Sequence, residues 1–357
     1  MTLSLCMIVK NEEDVLARAL ANARVFADEI IVVDTGSTDG TKKIARDLAD
    51  KVYDFEWNDD FSAARNFAFS KATKDYRMWL DADDIVPLTS ARSISRLMKK
   101  LDPGVDIVML PYVLETESNG KPKFSYYRER ILKNRPDLVF RGAVHEAVAL
   151  GGRILKKSVA VYHAKPNGRS SGTRNLDIYR KLLARGNVLS ARERYYYARE
   201  LYYNGDAEAA SREFEKFIDD PNGYYVNKID ACVMLSRCCI KLGDRKGAYF
   251  ALYNSFMFDV PSGEAACELA LLYFADNRYE LAAYWFERAA AAKPNLASGA
   301  FVDMDYYGFL PYVWLSVCYD KLGNTRAAYF YHCRARKIRP EHPSVAANQK
   351  YFEGLGY

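Results

Sequence analysis

Glu29-Ile30-Ile31-Val32-Val33-Asp34-Thr35-Gly36-Ser37-Thr38-Asp39-Gly40-Thr41 is a strand, a turn and a helix cap in succession. The apolar run has no polar alternation, which is the signature of a strand buried on both faces. The Gly, Ser, Thr and Asp residues then turn the chain into a helix carrying Ile44 and Leu48. Upstream, residues 3–9 form another continuous apolar run, and Asn11 can cap a helix with Val15, Leu16, Ala19 and Leu20 at helical spacing. Downstream, residues 52–55 read as a third strand, 60–72 as a third helix and 78–80 as a fourth strand. This alternation predicts an α/β fold with a parallel, doubly wound sheet. In such sheets ligands sit beyond the carboxyl ends of the strands. Asn11, Asp34 and Asp81 all follow strand ends, so one crevice is expected to gather them.

The fourth strand ends unusually: Tyr76-Arg77-Met78-Trp79-Leu80-Asp81-Ala82-Asp83-Asp84 runs from apolar residues into three carboxylates. A buried strand has no use for three anions at its tip. Hard divalent cations do, because oxygen ligands suit them. The stretch lacks the alternating oxygens of a calcium loop, so magnesium or manganese bound with a phosphorylated substrate is the expectation. No Gly-x-Gly-x-x-Gly and no Walker loop is present. The first turn, Lys10-Asn11-Glu12-Glu13, is acidic and polar. Both facts argue against dinucleotide and P-loop versions of this architecture.

Four segments in order and spacing carry a resemblance: Val9-Lys10-Asn11-Glu12-Glu13, residues 31–41, Ala64-Arg65-Asn66, and Leu80-Asp81-Ala82-Asp83-Asp84. Together they resemble the family 2 glycosyltransferases of GT-A fold, a Rossmann-like, mostly parallel architecture. The resemblance covers roughly the first half of the chain. Residues 57–66 and Phe140-Arg141-Gly142-Ala143-Val144-His145-Glu146 are similar to a narrower group. That group holds sublancin-type peptide S-glycosyltransferases, which also carry a helical C-terminal domain, and lipopolysaccharide-core glucosyltransferases.

The resemblance implies roles. Asp34 would bind the uracil or ribose of a UDP-sugar, with Asn11 and Glu13 nearby. Arg65 would orient the nucleotide or Asp81. Asp81 and Asp83 match an Asp-x-Asp pair, with Asp83 the direct metal ligand and Asp81 closer to the ribose. His163 matches a histidine that closes the metal site. Glu146 matches the acceptor base of inverting members, and His145 stands beside it. In an extended segment neighbours face opposite ways, so His145 and Glu146 would not both reach the acceptor. Sugar transfer from UDP needs a Lewis acid at the departing diphosphate and a base at the acceptor. One base with no carboxylate nucleophile implies inversion through an oxocarbenium-like state. Residues 164–175 are rich in Gly, Ser and cations. They serve either as a lid, with Lys165, Arg169 or Arg174 pairing phosphate, or as a solvated linker.

After about residue 175 the period changes. Tyr197–Asp206, Leu235–Asp244, Leu269–Arg278 and Leu315–Asn324 share a theme: small and large apolar residues, a Gly-Asp or Asn-type turn, then a second helix. Pro294 and Pro340 close two units. About four imperfect units resemble tetratricopeptide (TPR) repeats, whose stacked helix pairs offer a surface for peptides. The domains expected are a GT-A catalytic domain over 1–170 and a TPR-like domain over 171–357. Most of the Tyr and Ala residues there pack repeat against repeat, but with 27 Tyr in the chain some are left for a groove or for a homodimer through the helical domain.

At 357 residues, two domains are expected. No run approaches the roughly 18 apolar residues of a membrane span. The N-terminus is taken up by the first strand rather than by a signal peptide. Seven scattered Cys without a Cys-x-x-Cys pair read as reduced core residues of a cytoplasmic protein. A net charge of +5 suits an anionic donor and does not call for nucleic acid. The expected activity is metal-dependent transfer from a UDP-sugar to a peptide or protein side chain. A cell-surface glycan or lipopolysaccharide-type acceptor, or a scaffold with a degenerate transferase domain, are the alternatives.

Overall fold

Strands β1 (Leu3–Val9) and β2 (Glu29–Asp34) are buried almost throughout, as their unbroken apolar runs require. Successive side chains leave opposite faces of the sheet. Leu3, Leu5, Met7, Ile30 and Val32 pack on one side with helices α1 (Leu16–Ala23), α2 (Thr41–Leu48) and α4 (Leu88–Lys100). Cys6, Ile31 and Val33 pack on the other with α3 (Phe61–Ser70) and Phe140. The computed structural model describes residues 1–116, 120, 122–164, 172–295 and 302–357. It divides into two units, Met1–Asn187 and Val188–Tyr357.

The first unit is built on a mixed, mostly parallel sheet. Strands β3 (Lys51–Asp54), β2, β1 and β4 (Tyr76–Trp79) run parallel in that order. An antiparallel hairpin follows: β7 (Pro122–Lys133) pairs β4 on one side and β6 (Ile107–Thr116) on the other. Beyond β6 lie β11 (Val161–His163), parallel to it, and β5 (Asp84–Ile85), antiparallel to β11. β10 (Ile154–Lys156) also pairs β6, and β8 (Phe140–Arg141) and β9 (Ala147–Val148) form a separate ribbon. Helix α5 (Arg174–Ala184) completes the unit.

The amino ends of the strands are tied by acids. Ser4 Oγ, Lys51 Nζ and the Thr73 N–H donate to Glu29 at 2.5, 2.8 and 2.9 Å. The Leu3 N–H donates to Asp28, the Ile30 N–H to Asp50 and the Thr2 N–H to Asp75, at 2.7–2.8 Å. Burial alone would raise the Glu29 carboxyl, but the donors from Lys51, Ser4 and Thr73 outweigh it and hold it at about 2.

Asn11 does not cap α1, which begins at Leu16 without a side-chain cap. The chain first needs a left-handed turn, and Asn11, at φ 55°, supplies it. Its Oδ1 accepts the Thr38 N–H at 2.8 Å instead. The first amides of α2 go to Glu13 and Asp39.

The second unit consists of helical hairpins: α6 (Ala191–Tyr203) with α7 (Ala207–Asp219), α8 (Tyr225–Lys241) with α9 (Arg245–Ser255), α10 (Gly263–Ala275) with α11 (Tyr279–Ala291), and α12 (Phe309–Lys321) with α13 (Thr325–Ile338). A 3-10 turn (Met304–Tyr307) precedes α12, and α14 (Pro343–Gly354) ends the chain. Within the hairpins the turn chemistry repeats. Gly205, Gly243 and Gly323 have φ between 73° and 92°, a left-handed exit that glycine adopts without strain. The next residues, Asp206, Asp244 and Asn324, cap the following helix through Ala209, Gly247 and Ala327 N–H. The third hairpin departs: Asn277 makes the left-handed turn, and Arg278 gives no side-chain cap.

Candidate active site

β4 delivers the acids to the carboxyl end of the sheet. The chain turns after Leu80, the Asp84 N–H donating to the Asp81 carbonyl at 3.1 Å. β5 then pairs with β11 so that His163 stands opposite Asp84 and beside Asp83. Arg65 comes from α3, and Glu146 and His145 from the turn between β8 and β9.

Most of the carboxylates are matched with guanidinium groups. Arg65 bridges Asp81 at 2.7 Å and Glu146 at 2.5 Å. Arg130 pairs Asp84 at 3.0 Å, both side chains being fully buried. Arg128 pairs Glu129 at 3.2 Å. All three guanidiniums lie over the Trp79 ring, at 4.6, 3.9 and 4.7 Å for Arg65, Arg130 and Arg128. The indole N–H of Trp79 donates to the Glu129 carbonyl at 2.6 Å. Asp83 has no guanidinium among the described residues. Its nearest cationic group is His163, whose Nδ1 is 3.6 Å away.

The electrostatics follow these contacts. Burial would raise Asp81, but Arg65 and then Arg130 hold its carboxyl down at about 2. Asp83 is pushed up by burial, and Asp81 and Asp84 add to the rise while His163 opposes it. His163 is raised by the nearby Asp84 carboxylate, against the effect of burial, with Asp83 adding to the rise. The Tyr112 hydroxyl donates to Asp84 at 2.8 Å and lies 2.9 Å from His163 Nδ1, fixing that ring.

Asp83, Asp84 and His163 each offer a ligand atom within 4.8 Å of the others. Asp84 is already engaged by Arg130 and Tyr112. Asp83 and His163 are therefore the atoms best suited to a divalent cation, and an oxygen–nitrogen pair in a carboxylate-rich corner fits one. Around them opens a cavity of about 580 Å³. Its wall includes Lys10, Trp57, Arg65, Asp81, Asp83, His145, Glu146, His163 and Arg174.

The profile of Glycosyl transferase family 2 matches residues 4–156. Those residues are a family 2 glycosyltransferase domain. The chain is 32% identical over 273 residues to a TPR repeat-containing protein of Synechococcus elongatus, covering 76% of this chain and 60% of that protein. It is 27% identical over 248 residues to the SPbeta prophage-derived glycosyltransferase SunS of Bacillus subtilis, covering 66% of this chain and 58% of SunS. The chain thus spans about 60% of the length of these curated relatives. Among solved structures, YrrB, described as a TPR protein with an unusual peptide-binding site, aligns with 50% of this chain and 92% of its own. The TM-score is 0.36 and the identity 15%. No helix among the described residues is long and apolar enough to cross a membrane.

The transferase domain gathers Arg65, Asp81, Asp83, His145, Glu146, His163 and Arg174 around one cavity. Asn11, Glu13 and Asp34 do not line it. Their side chains serve the loops: Asn11 and Glu13 bind the turn before α2, and Asp34 Oδ1 accepts the Gly36 and Ser37 N–H groups at 3.0 and 2.9 Å. Asp34 Oδ2 is buried without a partner. Lys165 and Arg169 lie outside the described residues.

The segment at His145 and Glu146 is not extended. His145 has φ 53° and follows Gly142 at φ 95°, so the chain bends and both side chains line the cavity. A histidine in this region costs about 1–3 kcal/mol, which the surrounding contacts must offset. The sequence reading missed Trp57, Tyr112, Arg128 and Arg130. The last two are spaced by two on β7, so the alternation in Arg128-Glu129-Arg130 was the available signal.

Proposed function

We propose that the chain transfers a sugar from a UDP-sugar to a polypeptide side chain, with inversion and with a divalent cation, Mn²⁺ or Mg²⁺. The observation that carries this reading is one cavity lined by Asp83 and His163 and also by Glu146. Asp83 and His163 would hold the ion, which when bound supplies Lewis-acid stabilisation of the leaving diphosphate. Arg174 and Lys10 add positive charge to the same cavity for the phosphates. Asp34 Oδ2 is the acceptor that a uracil N–H or ribose hydroxyl requires, once the loops around it open to the nucleotide.

Glu146 is the general base. Arg65 holds its Oε1, which orients the carboxylate and leaves Oε2 to take the proton. The acceptor oxygen or sulfur attacks the anomeric carbon and its proton passes to Glu146. The bond from that carbon to the diphosphate oxygen breaks, and UDP departs with the electron pair. A single displacement of this kind inverts the anomeric centre. His145, bent into the cavity beside Glu146, lies where it can orient the acceptor. The resemblance of residues 57–66 and 140–146 to the sublancin-type group, together with the helical repeats, favours a peptide acceptor.

Calorimetric titration of UDP with and without manganese, on the wild type and Asp83→Asn, tests the donor half. Metal-dependent binding that disappears in the variant is expected. Equal binding by both proteins would overturn the assignment of Asp83. Mass spectrometry of peptides incubated with UDP-sugars tests the acceptor half, and sugar found only on glycan or lipid acceptors would overturn it.

A further inference from the structure

The helical unit holds a cleft of about 380 Å³, within the range of ligand-binding pockets. It opens between the first turns of α8, the loop before α10 and the 3-10 turn. Its charge is one-sided. Among the described residues lining it, Asp230, Asp259 and Glu264 face a single cation, Lys293.

The acids are not spent alike. Asp230 gives Oδ2 to Arg199 and to the Tyr195 hydroxyl, both at 2.6 Å, and keeps Oδ1. Among the described residues Glu264 is served by neutral donors, the Tyr307 hydroxyl at 2.6 Å, the Asp303 N–H at 3.3 Å and the Ser262 hydroxyl. Burial pushes its carboxyl up, as expected of an acid without an opposite charge. Asp259 binds only the adjacent Val260 N–H. The rim is apolar: Val260 is 78% exposed and Tyr225 37%. An acidic floor under an apolar, aromatic rim matches a side chain with a long aliphatic stem and a cationic head.

We infer that this cleft captures an arginine or lysine side chain of a bound polypeptide. The head meets Glu264 and Asp230 Oδ1, and the stem and flanking residues lie on Tyr225 and Val260. The inference stands on the helical unit alone and does not depend on the transfer reaction.

The test uses the full chain and fluorescein-labelled, acetyl-capped octapeptides of Gly, Ser and Leu with one central variable residue. Anisotropy is read at low and high NaCl. Peptides with arginine or lysine are expected to bind at least tenfold more tightly than those with glutamine or glutamate, with affinity falling as salt rises. Asp259→Asn with Glu264→Gln should weaken the arginine peptide at least tenfold. Val260→Arg, on an exposed rim position, should do so too without disturbing the fold, and a thermal melt checks both proteins. UDP binding in the same proteins should be unchanged, which separates this outcome from failure of the donor site. Equal affinity for the arginine and glutamate peptides would overturn the inference. So would unaltered binding in folded Val260→Arg, or displacement by spermine as effective as by the peptide.

Discussion

The two ends of the central sheet both collect acids, and they use them in opposite ways. At the amino ends, Asp28, Glu29, Asp50 and Asp75 each take backbone or cationic donors, and the carboxyls of Glu29, Asp50 and Asp75 are held below their ordinary values. At the carboxyl ends, Asp81, Asp84, Glu129 and Glu146 are matched by arginines, yet Asp83 is left with His163 and is pushed up. An acid with a full set of donors stabilises a fold. An acid held in a crowd without such a set is disfavoured in its charged form, which an arriving cation would relieve. The position of a carboxylate along the strand therefore says less than the donors around it.

The contrast can be broken at several points. Glu146→Gln should lower transfer by about 10²–10⁴-fold, the range for loss of a general base, with UDP binding retained. Calorimetry beside a radiolabelled transfer assay would read this, and retained activity would remove Glu146 from the chemistry. Next in size, Arg65→Ala would leave Asp81 and Glu146 without their shared partner. Removing one member of a buried ion pair costs about 3–5 kcal/mol, so the urea midpoint should fall sharply. An unchanged midpoint would mean that the bridge carries no stability.

At the other end, Glu29 sets a pH dependence. Its carboxyl lies at about 2 when folded, against an ordinary 4.5. The stabilisation is complete above about 4.5 and is lost as pH falls toward about 2. It amounts to on the order of 3 kcal/mol. Urea melts across that window should show the wild type losing stability, with Glu29→Gln already destabilised and flatter. Parallel curves would refute the assignment. Smallest of all, Asp75→Asn weakens the tie to Thr2 and should cost about 1 kcal/mol without altering UDP binding.

Much of this was legible in the chain. Unbroken apolar strands and spaced helices dictated the order of elements. The acids of Asp81-x-Asp83 at a strand end marked where a ligand crevice was expected, whereas His163 came from the family resemblance alone. What escaped notice was set by long-range pairing. Arg128 and Arg130 reach Trp79 only because β7 is inserted antiparallel between β4 and β6, which no local pattern announces. Asn11 and Asp34 carry side chains that can satisfy a turn as readily as a ligand, and in this state the turn has claimed them. The bend at His145 has no glycine at that position to mark it. In the helical half, the repeated turn and cap were readable because three of the four joints use a Gly followed by an Asp or Asn cap.

Trp79 has one more consequence. The chain has four tryptophans, at positions 57, 79, 285 and 314. The first two line the transferase cavity, whereas Trp285 stacks on Phe256 and Trp314 on Phe286 within the helical unit. Each unit thus carries its own built-in optical reporter. With Trp285→Phe and Trp314→Phe in place, the remaining emission comes from indoles lining the candidate site, one of them ringed by three guanidiniums. A nucleotide entering that wall would change their surroundings and be visible in the ultraviolet without any label.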